Sequence, residues 1–171
     1  GFQVFGDAEP DFQMGVNNNL RWKNIDLSFL WQWKSGGDNI NLTALLTDLN
    51  GTSHDYDTID LDPEGQLGNG PYRVCQLGSS AEVFVEDASY VRLREIGLYY
   101  TLENKMLGNV IGGAIDSVRI GLSGTNVLNF FDYNSYDPEV SNFGGGTIFT
   151  GVEVTPFPSS KRYLFHLGVN F

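Results

Sequence analysis

Along five stretches of the chain, apolar and polar residues alternate with a period of two, the repeat by which a β-strand sends every second side chain to one face. The first stretch, 12–22, sets Phe12, Met14, Val16, Leu20 and Trp22 against Gln13, Gly15, Asn17, Asn19 and Arg21, with Asn18 interrupting the apolar series. Lys23 and Asn24 suit a tight turn. The phase resumes over 25–34, with Ile25, Leu27, Phe29, Trp31 and Trp33 against Asp26, Ser28, Leu30, Gln32 and Lys34, so the two stretches predict a hairpin. A third strand is predicted over 90–102, where Ile96, Leu98, Tyr100 and Leu102 oppose Glu95, Gly97, Tyr99 and Thr101. A fourth, 117–125, sets Val118, Ile120 and Leu122 against Arg119, Gly121 and Ser123. The fifth, 161–171, alternates Tyr163, Phe165, Leu167, Val169 and Phe171 with Arg162, Leu164, His166, Gly168 and Asn170. In water the last residues of a chain tend to fray, so an apolar ladder running to Phe171 predicts an end embedded in something.

The connections alternate in length. Residues 23–24 and 103–116 form short links, whereas 35–89 and 126–160 are long. Outer-membrane barrels have short periplasmic turns and long extracellular loops, and placing Phe171 at the periplasmic end sends both long connections outside. Aromatic residues then fall where the interfacial girdles of such barrels lie. Phe12, Trp31, Trp33 and Tyr163 come at the extracellular ends, Trp22, Tyr100 and Phe171 at the periplasmic ends, and Phe165 with the aliphatic residues between them. Arg92 and Arg94 share the phase of Ile96 and Leu98. An Arg at the bilayer midplane costs about 2–4 kcal/mol and about 0–1 near the interface, so both are expected at or above the outer rim.

Composition narrows the alternatives. The 21 Gly, 12 Phe, 8 Tyr and 3 Trp of the 171 residues lean towards β structure. Ten Lys and Arg against 21 Asp and Glu give a net charge of −11, which argues against nucleic acid as a partner. The single cysteine, Cys75, allows no internal disulfide and no Cys/His zinc framework. No run approaches the roughly 18–20 apolar residues of a membrane helix, a test that a barrel strand escapes. The chain opens on Gly1 without an initiator Met or a signal segment, so Gly1 is expected to follow a processing event, a missing stretch, or both. Five strands are too few to close a membrane barrel, and an open edge in lipid leaves backbone groups unsatisfied. The remaining strands must therefore come from elsewhere in the same polypeptide or from another chain. No Ser-His-Asp, phosphate-loop or HExxH motif is present, and no enzyme is expected. The competing soluble architecture, a secreted β-sandwich carbohydrate-binding module, would bury the Trp31 and Trp33 face in a core.

Four stretches resemble the SusC/RagA group of TonB-dependent outer-membrane transporters of Bacteroidota. The first is Gly6-Asp7-Ala8-Glu9-Pro10-Asp11-Phe12, followed by Asn18-Asn19-Leu20 and Trp22-Lys23-Asn24-Ile25-Asp26-Leu27-Ser28. The second is Ala88-Ser89-Tyr90-Val91-Arg92-Leu93-Arg94-Glu95-Ile96 with Leu98-Tyr99-Tyr100-Thr101-Leu102, although Glu103 stands where the group has Pro. Gly124-Thr125-Asn126-Val127-Leu128 with Tyr136-Asp137-Pro138-Glu139-Val140, and the tail Phe165 to Phe171, complete the resemblance. It runs in order from Gly6 to Phe171 around a divergent middle, 36–88. It implies an all-β fold, the C-terminal antiparallel strands of a transmembrane β-barrel of about 22 strands, with extracellular loops 35–89 and 126–160 and a plug domain that lies outside this chain. It also implies the outer membrane as location, with its lipid as surroundings. The implied partners are the rest of the barrel and plug, a SusD-like lipoprotein and TonB, and the implied activity is uptake of glycans or peptides. A SusC-like structural subunit of a larger outer-membrane assembly is the alternative role.

Two loop clusters carry candidate chemistry. Asp55, Asp57 and Asp60, with Asp62 and Glu64, offer hard oxygen ligands to a calcium ion, although Asp62 is followed by Pro63 and the spacing departs from an EF-hand. A solvated acidic loop is the simpler account of them and the favoured one, with His54 a surface residue beside it. In the last long loop Tyr133, Tyr136, Asp137 and Asn142 lie with Asp132, Glu139 and Phe143. Rings beside carboxylates and amides suit sugar binding, and loop packing or lid contact is the alternative. Arg21, Asp26, Glu95, Arg119 and His166 fall on the inward phase, where they satisfy one another, water or a plug.

Overall fold

A computed structural model describes residues 3–108, 114–141 and 151–171, and the alternating stretches become strands. In chain order these are β1 (Pro10–Trp22), β2 (Ile25–Gly36), β3 (Asp38–Asn41), β4 (Val85–Asp87), β5 (Tyr90–Glu103), β6 (Ser117–Phe130), β7 (Val152–Glu153) and β8 (Arg162–Asn170). Helices α1 (Leu42–Leu49), α2 (Asn69–Cys75) and α3 (Asn104–Leu107) lie between them. Contacts divide the chain into two units. One comprises 13–33, 91–130 and 160–171, the other 1–12, 34–90 and 131–159.

The first unit is a five-stranded sheet in the order β1-β2-β5-β6-β8. The β1–β2 turn places Lys23 at a φ of 53°, the left-handed conformation that two-residue hairpins favour. Asn24 then fixes β2 beside β5, its amide donating to the Thr101 carbonyl at 2.7 Å and its carbonyl accepting from Thr101 N at 2.8 Å. Directly opposed residues project from the same face, so the register builds apolar rows across β5, β6 and β8. Leu98, Leu122 and Phe165 make one row, Tyr100, Ile120 and Leu167 the next, Leu102, Val118 and Val169 a third. This face is open. Trp22 is 67%, Leu122 63% and Phe165 65% exposed, an apolar expanse that water-soluble monomers do not present. The sandwich alternative required the same face to be a core. Among the described residues no helix is long and apolar enough to cross a membrane.

Two departures from the sequence expectation have physical causes. Strand β6 continues to Phe130 instead of ending at Thr125, because a bulge absorbs its change of phase. Pairing steps from Glu95 opposite Thr125 to Leu93 opposite Leu128, so Asn126 and Val127 together face Arg94, and Asn126 takes a φ of 53°. Beyond the bulge Leu128 and Phe130 fall opposite Leu93 and Val91, on the phase that Glu95 and Tyr99 occupy lower down. Arg94 lies at the same irregularity. Its Nε donates to Gln32, a member of the polar series of β2, and its Nη1 to Asn126 Oδ1 at 3.4 Å, while Arg92 is wholly buried.

The second departure is the segment 35–89, expected as a loop, which carries secondary structure of its own in the second unit. There β3 pairs antiparallel with β4, Asn39 opposite Glu86, and parallel with β7, Ile40 opposite Val152. Helix α1 begins where Asn41 Oδ1 accepts from Ala44 N at 2.8 Å. Its Leu42, Leu45, Leu46 and Leu49 follow the i, i+3, i+4, i+7 spacing of an apolar helix face. Phe84, Ala88, Tyr90 and Tyr133 are buried in this unit.

Candidate functional site

On the polar face of the five-stranded sheet, side chains from every strand join in one chain of contacts. Asp26 of β2 faces Arg21 of β1, Nε to Oδ1 at 3.4 Å, and accepts from Arg119 Nη2 of β6 at 3.2 Å. The Arg119 guanidinium lies 4.5 Å from the centre of the Tyr99 ring of β5. That ring sits 5.4 Å from the imidazole of His166 on β8, whose Nε2 is 2.7 Å from Ser123 Oγ. Glycine makes the arrangement fit. Tyr99 is directly opposite Gly121, and a Cβ there would overlap its ring, as would one at Gly97. Both arginines of the network remain largely open to water, so the ion pairs contribute about 0–1 kcal/mol each. Geometry, more than stability, is what they define.

The second unit contains a cleft of about 320 Å3 lined by Thr43, Thr47, Ser53, His54, Asp55 and Tyr136 among others. One wall is an ionic latch. Arg73 of α2 donates through Nε and Nη2 to both oxygens of Asp48 at 2.6 and 2.8 Å, and through Nη1 and Nη2 to Asp55 at 2.8 Å each. Asn69 donates to the same Asp55 carboxylate at 3.1 Å. These hydrogen bonds, those of Arg73 foremost, lower the Asp55 carboxyl to about 2, and the two carboxylates raise Arg73 further above its ordinary range. Behind the cleft, wholly buried Glu153 accepts from Thr43 Oγ1 at 2.7 Å and from Ser135. Burial, with Glu153 adding to it, raises the Tyr133 hydroxyl. Glu86 accepts from Asn41 Nδ2 at 2.9 Å and from Asn134 N at 2.7 Å. The cleft thus presents hydroxyls and the exposed ring of Tyr136 over a framework of hydrogen-bonded carboxylates, a surface for hydrogen bonding and ring stacking with a polar organic ligand.

No family model matches the chain. Similar proteins are found nonetheless. TonB-dependent receptor P3 of Formosa agariphila is 29% identical over 99% of this chain and 17% of its own length. TonB-dependent receptor P26 of the same organism is 28% identical over 98% of this chain and 18% of its own. The chain is homologous to TonB-dependent receptors. Its fold is also that of the RagAB peptide importer, with a TM-score of 0.64 to the open-open state and 0.65 to the closed-closed state. Those matches are 21% and 20% identical and cover 99% of this chain and 18% of each solved chain. The chain therefore spans about a sixth of the length of the receptors and solved chains it matches. The fold is that of outer-membrane barrel wall, and the outer membrane is the location.

The residues singled out from sequence fall as follows. Trp22, Trp33, Tyr100, Tyr163, Phe165 and Phe171 are exposed on the apolar series, and Trp31 is half-buried. Arg21, Asp26, Arg119 and His166 join the polar network, whereas Glu95 is exposed and lies four residues along β5 from Tyr99. Tyr136 lines the cleft. Tyr133 and Asp137 do not open to solvent: Asp137 is buried, accepting from Glu139 N at 3.1 Å and from Ser159. Asn142 lies outside the described residues. Asp55, Asp57 and Asp60 are not gathered as a metal site, and no three His, Cys, Asp or Glu side chains are so placed among the described residues. Asp55 is committed to Arg73, and Asp62 folds its own turn by accepting from Glu64 N, Gln66 N and Leu67 N at 3.1, 2.8 and 2.9 Å, which lowers its carboxyl pKa. Sequence reasoning missed the latch of Arg73 and Asp48 and the supporting Asn41, Glu86 and Glu153. The leucine spacing of α1 was the available signal for their scaffold. The long-range pairings had none.

Proposed function

We propose that this chain is a C-terminal wall segment of a SusC-like TonB-dependent importer, which takes glycans or peptides across the outer membrane with a SusD-like lipoprotein and energy from TonB. The observation that carries the proposal is the open apolar face of the five-stranded sheet, continuous from Trp22 to Phe165, on a chain homologous throughout to TonB-dependent receptors. In lipid that face lies in its preferred solvent, and the outer strands β1 and β8 pair with strands contributed by the rest of the barrel. The polar face then lines the interior, beside the plug. The long connections 35–89 and 126–160 serve as extracellular loops, and the cleft at Tyr136 meets the cargo or the lipoprotein lid. Tyr133 and Asp137 act there by holding the loop in shape, with Asn142 nearby in sequence.

The test is extraction of the native protein from outer membranes in mild detergent, with intact mass measurement of every chain that travels with it. A polypeptide several times longer that contains this sequence, or a companion chain supplying the missing strands, together with a lipoprotein, is the expected result. Co-purification with other subunits and no lipoprotein would favour the scaffold role. A lone chain of 171 residues that stays in solution without detergent would overturn the barrel.

A further inference from the structure

Two clefts open on the polar face of the five-stranded sheet, and Tyr99 and Arg119 line both. One, of about 630 Å3, runs along His166, Leu167 and Gly168; the other, of about 340 Å3, runs along Asn19, Arg21 and Asp26. Arg119 stands between them with its guanidinium fixed. The Tyr99 ring lies against it, and that ring is seated over the bare backbone of Gly121 with Gly97 beside it. Across the β6–β8 ladder the residue opposite Arg119 is Gly168, so no side chain from β8 fills the space beside the arginine. The larger cleft is that space.

Asp26 is one carboxylate serving two guanidiniums, one contact to each, at 3.4 Å to Arg21 and 3.2 Å to Arg119. Among the described residues Asp26 is the sole hydrogen-bond partner of Arg119, and it engages Nη2 only. Within this network two guanidiniums share one carboxylate, the exposed Glu95 and Glu103 of the same phase of β5 making no ion pair with Arg119. A planar guanidinium with a free edge matches a carboxylate in two parallel hydrogen bonds, shorter and stronger than neutral ones. Stacking on an aromatic face holds that edge in place before the ligand arrives, which lowers the ordering cost of binding.

We infer that Arg119, with Arg21 beside it, forms a carboxylate-binding site on the polar wall, entered through the cleft between Tyr99, His166 and Gly168. The inference rests on the proposed function only in setting this face towards the barrel interior. The same chemistry has two sources there, an Asp or Glu side chain of the receptor's own plug and a carboxylate of the cargo.

Full-length receptor in detergent separates these sources. The rate of phenylglyoxal modification is measured by peptide mass spectrometry at Arg119 and, as reference, at Arg162, with N-acetylglutamate or its neutral analogue N-acetylglutamine added. A cargo-type site slows modification of Arg119 by 1 + [L]/Kd, about fivefold at about four times Kd, with the glutamate analogue alone and at Arg119 alone. For the plug source, an R119K receptor is treated with a carbodiimide, which activates a carboxylate as its O-acylisourea so that an adjacent lysine amine forms the amide bond and the carbodiimide leaves as its urea. An amide bond from position 119 to an acidic residue of the plug identifies that source. The inference is overturned if neither probe protects Arg119, or both protect it equally, and the only amide formed by R119K joins it to Asp26 or none forms. The barrel reading fails by a different sign, solubility of the receptor without detergent.

Discussion

Replacing Arg73 with Met should unlatch α1 from the loop that follows it while leaving the five-stranded sheet intact. Among the described residues Arg73 is the one cation paired with Asp48, whose side chain is fully buried, and with Asp55, whose side chain is 23% exposed. Removing the guanidinium leaves a buried carboxylate with no compensation, and breaking such a pair costs about 3–5 kcal/mol. At about 1.4 kcal/mol per factor of ten, the opening equilibrium of the latch shifts by about two to three and a half orders of magnitude. Hydrogen exchange read by mass spectrometry on full-length receptor measures this directly. Amides of 43–49 and 70–76 should lose protection by that factor, up to the limit set by opening of the unit itself, while those of 96–102 and 118–124 in the sheet keep theirs. The triple variant Asp48→Asn, Asp55→Asn, Arg73→Met, which removes the buried charges together, should recover most of the loss. A change of less than tenfold in R73M would refute the reasoning, as would equal exposure of the sheet amides.

Further outcomes follow from the same geometry. The Asp55 carboxyl is lowered to about 2, chiefly by the Arg73 hydrogen bonds, against an unfolded value of about 3.9. Its contribution to stability is therefore complete above the unfolded value and is lost as pH falls from there towards 2; exchange of 52–58 should accelerate in that window, and an onset at pH 5–6 would contradict the assignment. Leu122→Arg, in the middle of the apolar face, should destabilise the receptor in lipid vesicles by about 2–4 kcal/mol, and Trp22→Arg at the strand end by about 0–1; urea unfolding midpoints in the opposite order would exclude the membrane orientation. Gly121→Val drives a side chain into the Tyr99 ring, at about 1–3 kcal/mol for the overpacking, and should shift the heat-dependent gel mobility of the folded barrel to lower temperature. Tyr136→Ala should reduce uptake while leaving the amount of folded receptor in the membrane unchanged, since the ring is 54% exposed.

Strand β8 was legible because its alternation is uninterrupted and its polar members are few, and the hairpin because a two-residue turn joins two stretches in phase. The end of β6 was not. Asn126 in the left-handed conformation changes the phase within a continuous strand, and a period-two reading stops where the phase breaks although the hydrogen-bonded ladder continues. In the divergent middle the leucines of α1 carried a helical period that eight residues expressed too briefly to stand out beside the long strands. The acidic cluster read as ligands or solvated charge because proximity in sequence groups Asp55 with Asp57 and Asp60. Its partner Arg73 lies 18 residues away and is brought in only by α2. The polar wall was legible as a list of inward residues. That Tyr99 and Arg119 stack required the register, since it is the pairing of Tyr99 with Gly121 that clears the space.

The bulge at Asn126 also determines how this strand can tolerate change in length. Below it, Ile120 and Leu122 belong to the open apolar face; above it, Leu128 and Phe130 are turned the other way although the strand is unbroken. A one-residue deletion at 126 would remove the bulge and restore one-to-one pairing, with Leu128 and Phe130 still opposite Leu93 and Val91 on their present face and everything below untouched. The same deletion near Ile120 would instead slide the rows shared with β5 and β8 out of step. The left-handed residue thus acts as a joint, taking up a change in spacing without moving the rows on either side of it.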